Sequence, residues 1–272
     1  MLVLLAVGAG SVAGLLLSDF PVAWAGALLT VLPFVVLYLR VTRSQSIART
    51  SARLPVACVL TLAGAGIAAW GVLSSEDASI LPLVAALAGA AGFLLYDFWY
   101  STLGREIHEG LSIGRMLPDF HARDLEGNIV HAADLRGRAA LFMFYRGNWC
   151  PFCMAQVREI TGKYRALADM GVELVLISPQ PTELTERVAG MFQVPCRFWV
   201  DEGLEAASRL GIVHEHGVPA GQLTGTFGQN TVLPTVIIVD REGRIIFTDQ
   251  TDNYRVRPDP DRFLKVLQAH IP

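Results

Sequence analysis

The sequence predicts two parts of different class. An N-terminal all-α transmembrane bundle of four helices is followed by an α/β domain that opens with a β-hairpin and has a partly parallel central sheet. Three observations predict this. The 272-residue chain is 52% hydrophobic, which is too apolar for an ordinary soluble protein of this length. The excess is confined to the first hundred residues, which contain no lysine and only Arg40, Arg43, Arg49 and Arg53 as basic residues. Beyond Tyr100 the composition is that of a soluble domain, and short apolar runs alternate with helix-like segments. The domain boundaries expected from this are 1–100 for the transmembrane region, 101–115 for a connector and 116–272 for the α/β domain.

Four apolar runs fill the first part, over 2–17, 22–39, 54–73 and 80–100. Crossing a hydrocarbon core takes about 20 apolar residues, which the last three satisfy. The first is shorter. It lacks the basic start and small-residue cleavage site of a signal peptide, so it is read as a short span. None of the runs shows the polar face of a soluble amphipathic helix. Trp70, Trp99, Tyr38 and Tyr100 stand near run ends, where interfacial aromatics sit. The linker "RVTRSQSIARTSAR" carries four arginines, and the turns around Asp19 and around Glu76 and Asp77 carry no basic residue. By the positive-inside rule that linker is cytoplasmic, and two further crossings return the chain there, so a multi-pass protein with its α/β domain on the cytoplasmic side is expected. Small residues recur every four positions at Ala6, Gly10 and Gly14, at Ala85 and Gly89, and at Ala88 and Gly92. Such rows let helices pack closely, either within one bundle or between protomers. No ionisable residue lies in the middle of a span, which argues against an ion pathway or proton relay.

In the second part, "PDFHARDLEGNIVHAADLRG" has two alternating stretches around Glu126-Gly127-Asn128, a hairpin signature. "AALFMFY" reads as a buried central strand, and a helix is expected from Cys150 to about Met170, stopped by Gly171. Then follow "VELVLIS" as a strand, "PTELTERVAGMF" as a helix, "CRFWV" as a strand and "LEAASRLG" as a helix. The pattern closes with "TVIIVD", the turn "REG", "RIIFTD" and a helix from about 260 to 269.

The stretch "YRGNWCPFCMAQ" places Cys150 and Cys153 two residues apart where a buried strand gives way to a helix. Pro151 then occupies the first helical position, where its missing N–H costs nothing. A cysteine at a helix N-terminus faces unpaired N–H groups that favour thiolate over thiol, lowering a pKa of about 8.5 toward 3.5 to 7.5. Cys153, one turn on, is placed to resolve a mixed disulfide formed on Cys150. Two other readings were weighed. A zinc site would need further ligands, for which only Cys196 and the pair His214 and His216 offer themselves. A structural staple is disfavoured by a reducing cytosol. The pattern favours dithiol redox chemistry, with no metal.

With "LPDF", "FYRGNWCPFC", "VLPTVIIVDREGRI" and "DNYRVRPDP" in view, the second part resembles the thioredoxin-fold superfamily, specifically peroxiredoxin-like redoxins related to the AhpC/TSA family, over about 116–272. The resemblance implies a thioredoxin-like fold with an N-terminal β-hairpin extension, Cys150 as nucleophile and Cys153 as resolving cysteine. It implies that Trp149 shields the disulfide, and that Leu233, Pro234 and Thr235 form the cis-proline segment on which a substrate backbone docks. It implies no bound cofactor, only an external thiol reductant such as thioredoxin or glutathione. The chain also departs from typical peroxiredoxins. The positions of their P-x-x-x-T-x-x-C proline and threonine hold Met143 and Gly147, and Pro234 falls where their arginine would precede its strand. Arg146, Arg255 and Arg257 are the candidates to contact an anion or peroxide instead, the alternative being solvated surface arginines.

These readings lead to a membrane-anchored thiol-disulfide oxidoreductase acting as a reductant of protein disulfides and, as an alternative, to a thiol peroxidase acting on hydroperoxides. A non-catalytic redox sensor or binding module is the second alternative. Expected partners are the disulfide or hydroperoxide substrate, a cellular thiol reductant and membrane lipid, with oligomerisation through the small-residue helix faces. The spans are expected to anchor rather than conduct electrons, because Cys58 is their only cysteine and is read as a small apolar residue. Cys196 is read as structural, His214 and His216 as exposed, and Asp134, Asp201 and Asp240 as turn or cap residues. No phosphate loop or basic patch is visible, which excludes nucleotide and nucleic-acid binding.

Overall fold

The computed structural model describes residues 2–43, 51–75, 77, 79–220 and 228–271. Arg49 and Glu76, two of the residues used above to orient the chain, lie outside the described residues. The chain divides into two units, the first ending at Thr102 and the second running from Leu103 to Pro272.

The first unit contains helices α1 (Leu2–Leu17), α2 (Pro21–Arg43), α3 (Pro55–Leu73) and α4 (Leu81–Leu95), the last continued by a π-helical turn, Tyr96–Tyr100. Three of them are long and apolar enough to cross a membrane: α2, α3 and α4 with its π turn. The expected count of four spans is thereby reduced to three candidates, because α1 has only 16 residues. The packing leaves many large apolar side chains outside: Ala27, Ala68 and Ala86 are buried together, as are Val31, Phe34 and Phe93, whereas Val56, Val59, Leu62, Val84 and Leu87 point outward. Water would penalise so large an apolar surface, and lipid does not.

Small residues set how closely the helices approach. A side chain on Gly26 would collide with the backbone of Gly64 and Ala68, and one on Gly64 would meet the Gly26 carbonyl oxygen at 2.7 Å. At the same crossing Thr61 Oγ1 donates to the Thr30 carbonyl at 3.0 Å. Of the rows noted in the sequence, Gly14 packs on Trp24, Gly89 on Thr30 and Gly92 on Leu4, all within the unit, while Gly10 faces open space. Asp97, in the π turn, is fully buried. It accepts from the Leu54 N–H at 3.2 Å, where α3 starts, and from the Cys58 thiol at 3.7 Å, so Cys58 is more than an apolar filler.

The second unit is built on a seven-stranded mixed sheet. The strands are β1 (His121–Arg123), β2 (Ile129–His131), β3 (Ala139–Phe144), β4 (Val172–Ser178), β5 (Arg197–Val200), β8 (Thr235–Val239) and β9 (Ile245–Asp249), and the short β6 (Val213–His214) and β7 (Thr231–Val232) pair separately. The order is β2-β1-β5-β4-β3-β8-β9. Pairs β3–β4 and β4–β5 are parallel and the others antiparallel, so the hairpin extends one edge and β9 forms the other. All six residues of β3 are buried, as a strand covered on both faces requires. Ala140, Phe142 and Phe144 join one cluster with Val175, Ile177, Trp199 and Ile237. Leu141 and Met143 alternate with them and are equally buried.

Helices α5 (Pro151–Gly162), α6 (Tyr164–Asp169), α7 (Thr182–Phe192), α8 (Glu205–Arg209) and α9 (Pro260–His270) complete the unit. The single helix expected from 150 to 170 is broken at Lys163, whose φ and ψ are −96° and 4°. Thr161 Oγ1 bonds back to the Val157 carbonyl at 2.8 Å and Gly162 follows, a pairing that loosens a helix. Residues 103–115, expected as a connector, are tied into this unit. Leu103 N donates to the Asp252 carbonyl at 2.9 Å, Leu111 lies in the core cluster, and Gly114 N donates to the Ile245 carbonyl at 2.7 Å.

The α2–α3 crossing yields a test. Gly64→Val should cost about 1–3 kcal/mol through overpacking. Thermal unfolding of the full chain in detergent should show a lowered midpoint, and an unchanged one would refute the close approach.

Candidate active site

The dithiol sits where β3 delivers it. The strand ends at Phe144, Tyr145 continues its pairing through an N–H to the Ile177 carbonyl at 2.9 Å, and four further residues lead to Cys150. Gly147 adopts φ +144°, and a Cβ there would come within 2.7 Å of the Trp149 ring nitrogen, so only glycine fits beneath the tryptophan. The loop is held from two sides. Asn148 N donates to Gln180 Oε1 at 2.8 Å, and Thr231 Oγ1 donates to the Arg146 carbonyl at 2.9 Å. Gln180 also donates to the Tyr145 hydroxyl at 3.3 Å and to Thr185 Oγ1 at 3.2 Å, which satisfies a buried polar layer under the site.

Cys150 caps α5 from an extended backbone, φ −92° and ψ 106°, with Pro151 at the first helical position. Its Sγ accepts the Cys153 N–H at 3.3 Å. Both cysteines are buried and neither is in a disulfide. Burial raises the Cys153 thiol, but the hydrogen bond from Cys150, the charge of Arg257 and the backbone N–H and charge of Arg146 outweigh it and bring it down to about 6. Burial, the hydrogen bond to Cys153 and repulsion by a thiolate there push Cys150 well above the ordinary range. The pair therefore releases one proton easily and the second with difficulty. The charges of Arg146 and Arg257 lower both thiols against burial, where the sequence pointed to the helix N-terminus alone.

Three arginines expected as anion contacts or solvated surface residues are all buried, with Arg255 at 0%, Arg257 at 4% and Arg146 at 9% exposure. Arg257 Nη2 donates to Cys153 Sγ at 3.8 Å. Arg146 stacks over Trp149 with 4.8 Å from its guanidinium carbon to the ring centroid, lies 5.9 Å from the Tyr254 ring and donates to the Gly217 carbonyl. Arg255 lies on the same tail, its N–H donating to Asn253 Oδ1 at 3.0 Å. Phe152, between the cysteines, packs edge-on against Tyr254 at 5.3 Å.

Leu233, Pro234 and Thr235 are buried, and the pairing of Thr235 with Phe144 brings them beside the end of β3 that leads to the dithiol. The expected cis bond is not there. No described residue follows a cis peptide, so Leu233–Pro234 is trans. Its surroundings hold that form: Thr235 Oγ1 donates to the Leu233 carbonyl at 2.8 Å and Arg105 Nη1 to the Pro234 carbonyl at 3.0 Å. Trans is also the intrinsically favoured isomer.

Arg105 was missed in the sequence, because a polar segment before the first strand gives no sign that it folds back onto the sheet. It bonds Thr235 Oγ1 at 3.0 Å, and burial, opposed by Asp249 and Asp252 and reinforced by Arg257, lowers it to about 10. His214, expected to be exposed, is half-buried and brought down to about 4 by burial and by Arg146. His216 is exposed, and among the described residues no group of three or more metal-ligating side chains occurs. Cys196 is half-buried, and burial pushes it up to about 12. Asp201 caps α8 by accepting from Ala206 N and Ala207 N, and Asp240 closes its turn by accepting from Arg244 N.

The second unit is similar to several known proteins. Thiol-disulfide oxidoreductase ResA of Bacillus anthracis is 25% identical over 161 residues, 59% of this chain and 79% of its own length. The chloroplastic peroxiredoxin Q of Sedum lineare is 26% identical over 159 residues, 57% of this chain and 77% of its own. The crystal structure of peroxidoxin BcpB from Mycobacterium tuberculosis matches with a TM-score of 0.48 and 17% identity, over 58% of this chain and 97% of that one. The AhpC/TSA family model matches residues 113–248, half of the 272 residues. The chain belongs to the AhpC/TSA family, and its second unit is a redox enzyme of the thioredoxin fold.

Proposed function

We propose that the protein is a membrane-anchored dithiol oxidoreductase in which Cys150 and Cys153 cycle between dithiol and disulfide, acting as a reductant of disulfides. The observation that carries this reading is the buried pair at the N-terminus of α5, with Cys153 N–H on Cys150 Sγ and Arg257 on Cys153 Sγ. In the first step Cys150, as thiolate, attacks one sulfur of the substrate disulfide. A mixed disulfide forms and the other substrate sulfur leaves as a thiolate. Cys153 then attacks Cys150 Sγ, closing the Cys150–Cys153 disulfide and releasing the second substrate sulfur. The enzyme loses two electrons and the substrate gains them. Thioredoxin or glutathione returns two electrons and restores both thiols. A proton passed from Cys150 to Cys153 readies the outer sulfur to attack, and its later transfer from Cys153 to a departing substrate thiolate readies the inner sulfur to resolve. Trp149, Pro151 and the Leu233-Pro234-Thr235 segment flank the pair and supply its docking surface.

A thiol peroxidase is the second reading, favoured by the buried arginines beside the pair and by the likeness to peroxiredoxin Q. There Cys150 would attack a peroxide oxygen, an alcohol or water would leave, and Cys153 would condense with the sulfenic acid to release water. The missing proline and threonine, replaced by Met143 and Gly147, weigh against it. The helical unit is read as a multi-pass anchor whose crossings are α2, α3 and α4 with its π turn. The second unit then faces the cytoplasm, where membrane-protein disulfides or lipid hydroperoxides are within reach.

The full chain in detergent should reduce a model disulfide with thioredoxin or glutathione as electron source, and Cys150→Ser should abolish turnover. Full activity in Cys150→Ser would overturn the assignment. No measurable turnover in the native chain, with partner binding retained, would leave a binding module. Stopped-flow mixing with hydroperoxide separates the readings, since a peroxidase thiolate reacts far faster than free cysteine. For the topology, an engineered cysteine at residue 110 should be shielded from membrane-impermeant reagents in intact cells, and its labelling from outside would reverse the assigned side.

A further inference from the structure

We propose that the acceptor of the dithiol is a low-molecular-mass disulfide, because the backbone edge on which an extended polypeptide would align beside the pair is already occupied by β6. This rests on the dithiol reading above and narrows its substrate. An extended chain docks on a sheet by exchanging main-chain hydrogen bonds with an unpaired strand, which takes free N–H and C=O groups along one side of that strand. The backbone placed to offer them here runs from β7 into Leu233, Pro234 and Thr235, next to the end of β3 that leads to the dithiol. That run is closed. Val232 faces Val213 and Thr231 faces His214 across the β6–β7 pair, and Leu233 N donates to the Ile212 carbonyl at 2.7 Å, which carries the pairing one residue further. The Leu233 carbonyl accepts from Thr235 Oγ1 at 2.8 Å, and Pro234 has no N–H while its carbonyl accepts from Arg105 Nη1 at 3.0 Å. All residues from Thr231 to Thr235 are buried. The segment meets a substrate as a closed wall, with no free edge for a chain to extend.

Access to the sulfurs is correspondingly narrow. Cys150 is 2% exposed and Cys153 0%. Trp149 and Tyr254, both half-buried, stand beside them, and the Arg146 guanidinium carbon lies against both rings, 4.8 and 5.9 Å from their centroids. Phe152, from between the cysteines, closes on Tyr254 at 5.3 Å. A disulfide within a polypeptide brings flanking main chain on both sides, whose N–H and C=O groups would be taken from water against aromatic rings that offer them no equivalent partner. A small disulfide carries no such backbone, and flat or apolar substituents suit the ring faces. The reaction balances as set out above: Cys150 forms the mixed disulfide, Cys153 closes the ring, two electrons and two protons leave the pair, and the acceptor departs as two small thiols.

Single-turnover oxidation of the reduced full chain in a non-ionic detergent tests this, with the Cys150–Cys153 disulfide counted by quenched alkylation. Each rate constant is divided by that of free cysteine with the same disulfide, which removes the acceptor's intrinsic reactivity. After that correction hydroxyethyl disulfide and dipyridyl disulfide should outpace insulin and a disulfide-linked extended peptide by about ten- to a hundredfold, the range imposed when buried polar groups are left unpaired. Tyr254→Leu should slow dipyridyl disulfide more than hydroxyethyl disulfide, a split that a general loss of structure would not produce. The comparison among substrates needs only the native chain, so it stands if that variant fails to fold. Insulin and the peptide reacting as fast as the small disulfides would overturn the proposal and leave the dithiol reading intact. Oxidation by none of the four would sink the dithiol reading itself, and the proposal with it.

Discussion

Buried positive charge at a helix N-terminus is the constraint on which the second unit depends. Arg146 and Arg257 are each less than a tenth exposed, and their charges act on two sulfurs at the start of α5, one of which accepts the Cys153 N–H. Cations cannot be hidden in a protein interior without something negative to face. A thiol able to ionise in the neutral range supplies it reversibly. This ties the chemistry to the architecture, because the groups come from separate places in the chain. The strand–loop–helix unit contributes Arg146 and the cysteines, and the tail after β9 contributes Arg255 and Arg257. The segment before β1 adds Arg105, which braces the Pro234 carbonyl. The sheet brings these together, with β3 at its centre and β8 beside it.

The first unit obeys a different constraint. Its helices bury small residues beside Val31, Phe34 and Phe93 and still leave many leucines and valines pointing outward, which lipid permits and water does not. The approach of α2 and α3 rests on Gly26, Gly64 and Ala68, closed by the Thr61 hydroxyl on the Thr30 carbonyl. Polar groups at its ends pair with one another: buried Asp97 takes the Leu54 N–H just before α3, and exposed Arg53 donates to the Asp97 carbonyl at 2.8 Å. Three of its helices are long and apolar enough to cross a membrane, and its described residues contain a single cysteine, Cys58.

Local patterns carried most of the fold in the sequence. The alternation around Glu126-Gly127-Asn128, the apolar run at 139–144 and Cys150-Pro151 at a strand-to-helix junction each encode their element within a few residues, and each element formed there. What stayed hidden depends on distance along the chain. Arg257 lies 104 residues from Cys153, Arg105 lies 129 from Pro234, and neither spacing has a periodicity to reveal it. The two-residue strands β6 and β7 are too short to leave a pattern. The small-residue rows at Ala6 to Gly14 and Ala85 to Gly92 were legible, yet the tightest crossing uses Gly26 and Gly64, single glycines on facing helices that no row announces. The kink at Lys163 arises from a hydroxyl bonding back into its own helix, which helix propensity alone does not resolve. The isomer at Pro234 was inherited from the family likeness, and the contacts made by Arg105 and Thr235 go with the other form.

The central claim is that the Cys150–Cys153 pair rests reduced in a cytosolic setting and donates electrons from there. Its midpoint potential, measured by equilibrating the full chain with glutathione buffers and quantifying the intramolecular disulfide, tests this most directly. The account predicts a value between about −270 and −180 mV, the span from thioredoxin to protein disulfide isomerase, which lies above a probe-determined cytosolic glutathione poise of about −280 to −320 mV and so leaves the pair largely reduced. A value near about −120 mV, that of a strong disulfide donor, would contradict it, because such a couple would pass its disulfide to other molecules instead of reducing theirs.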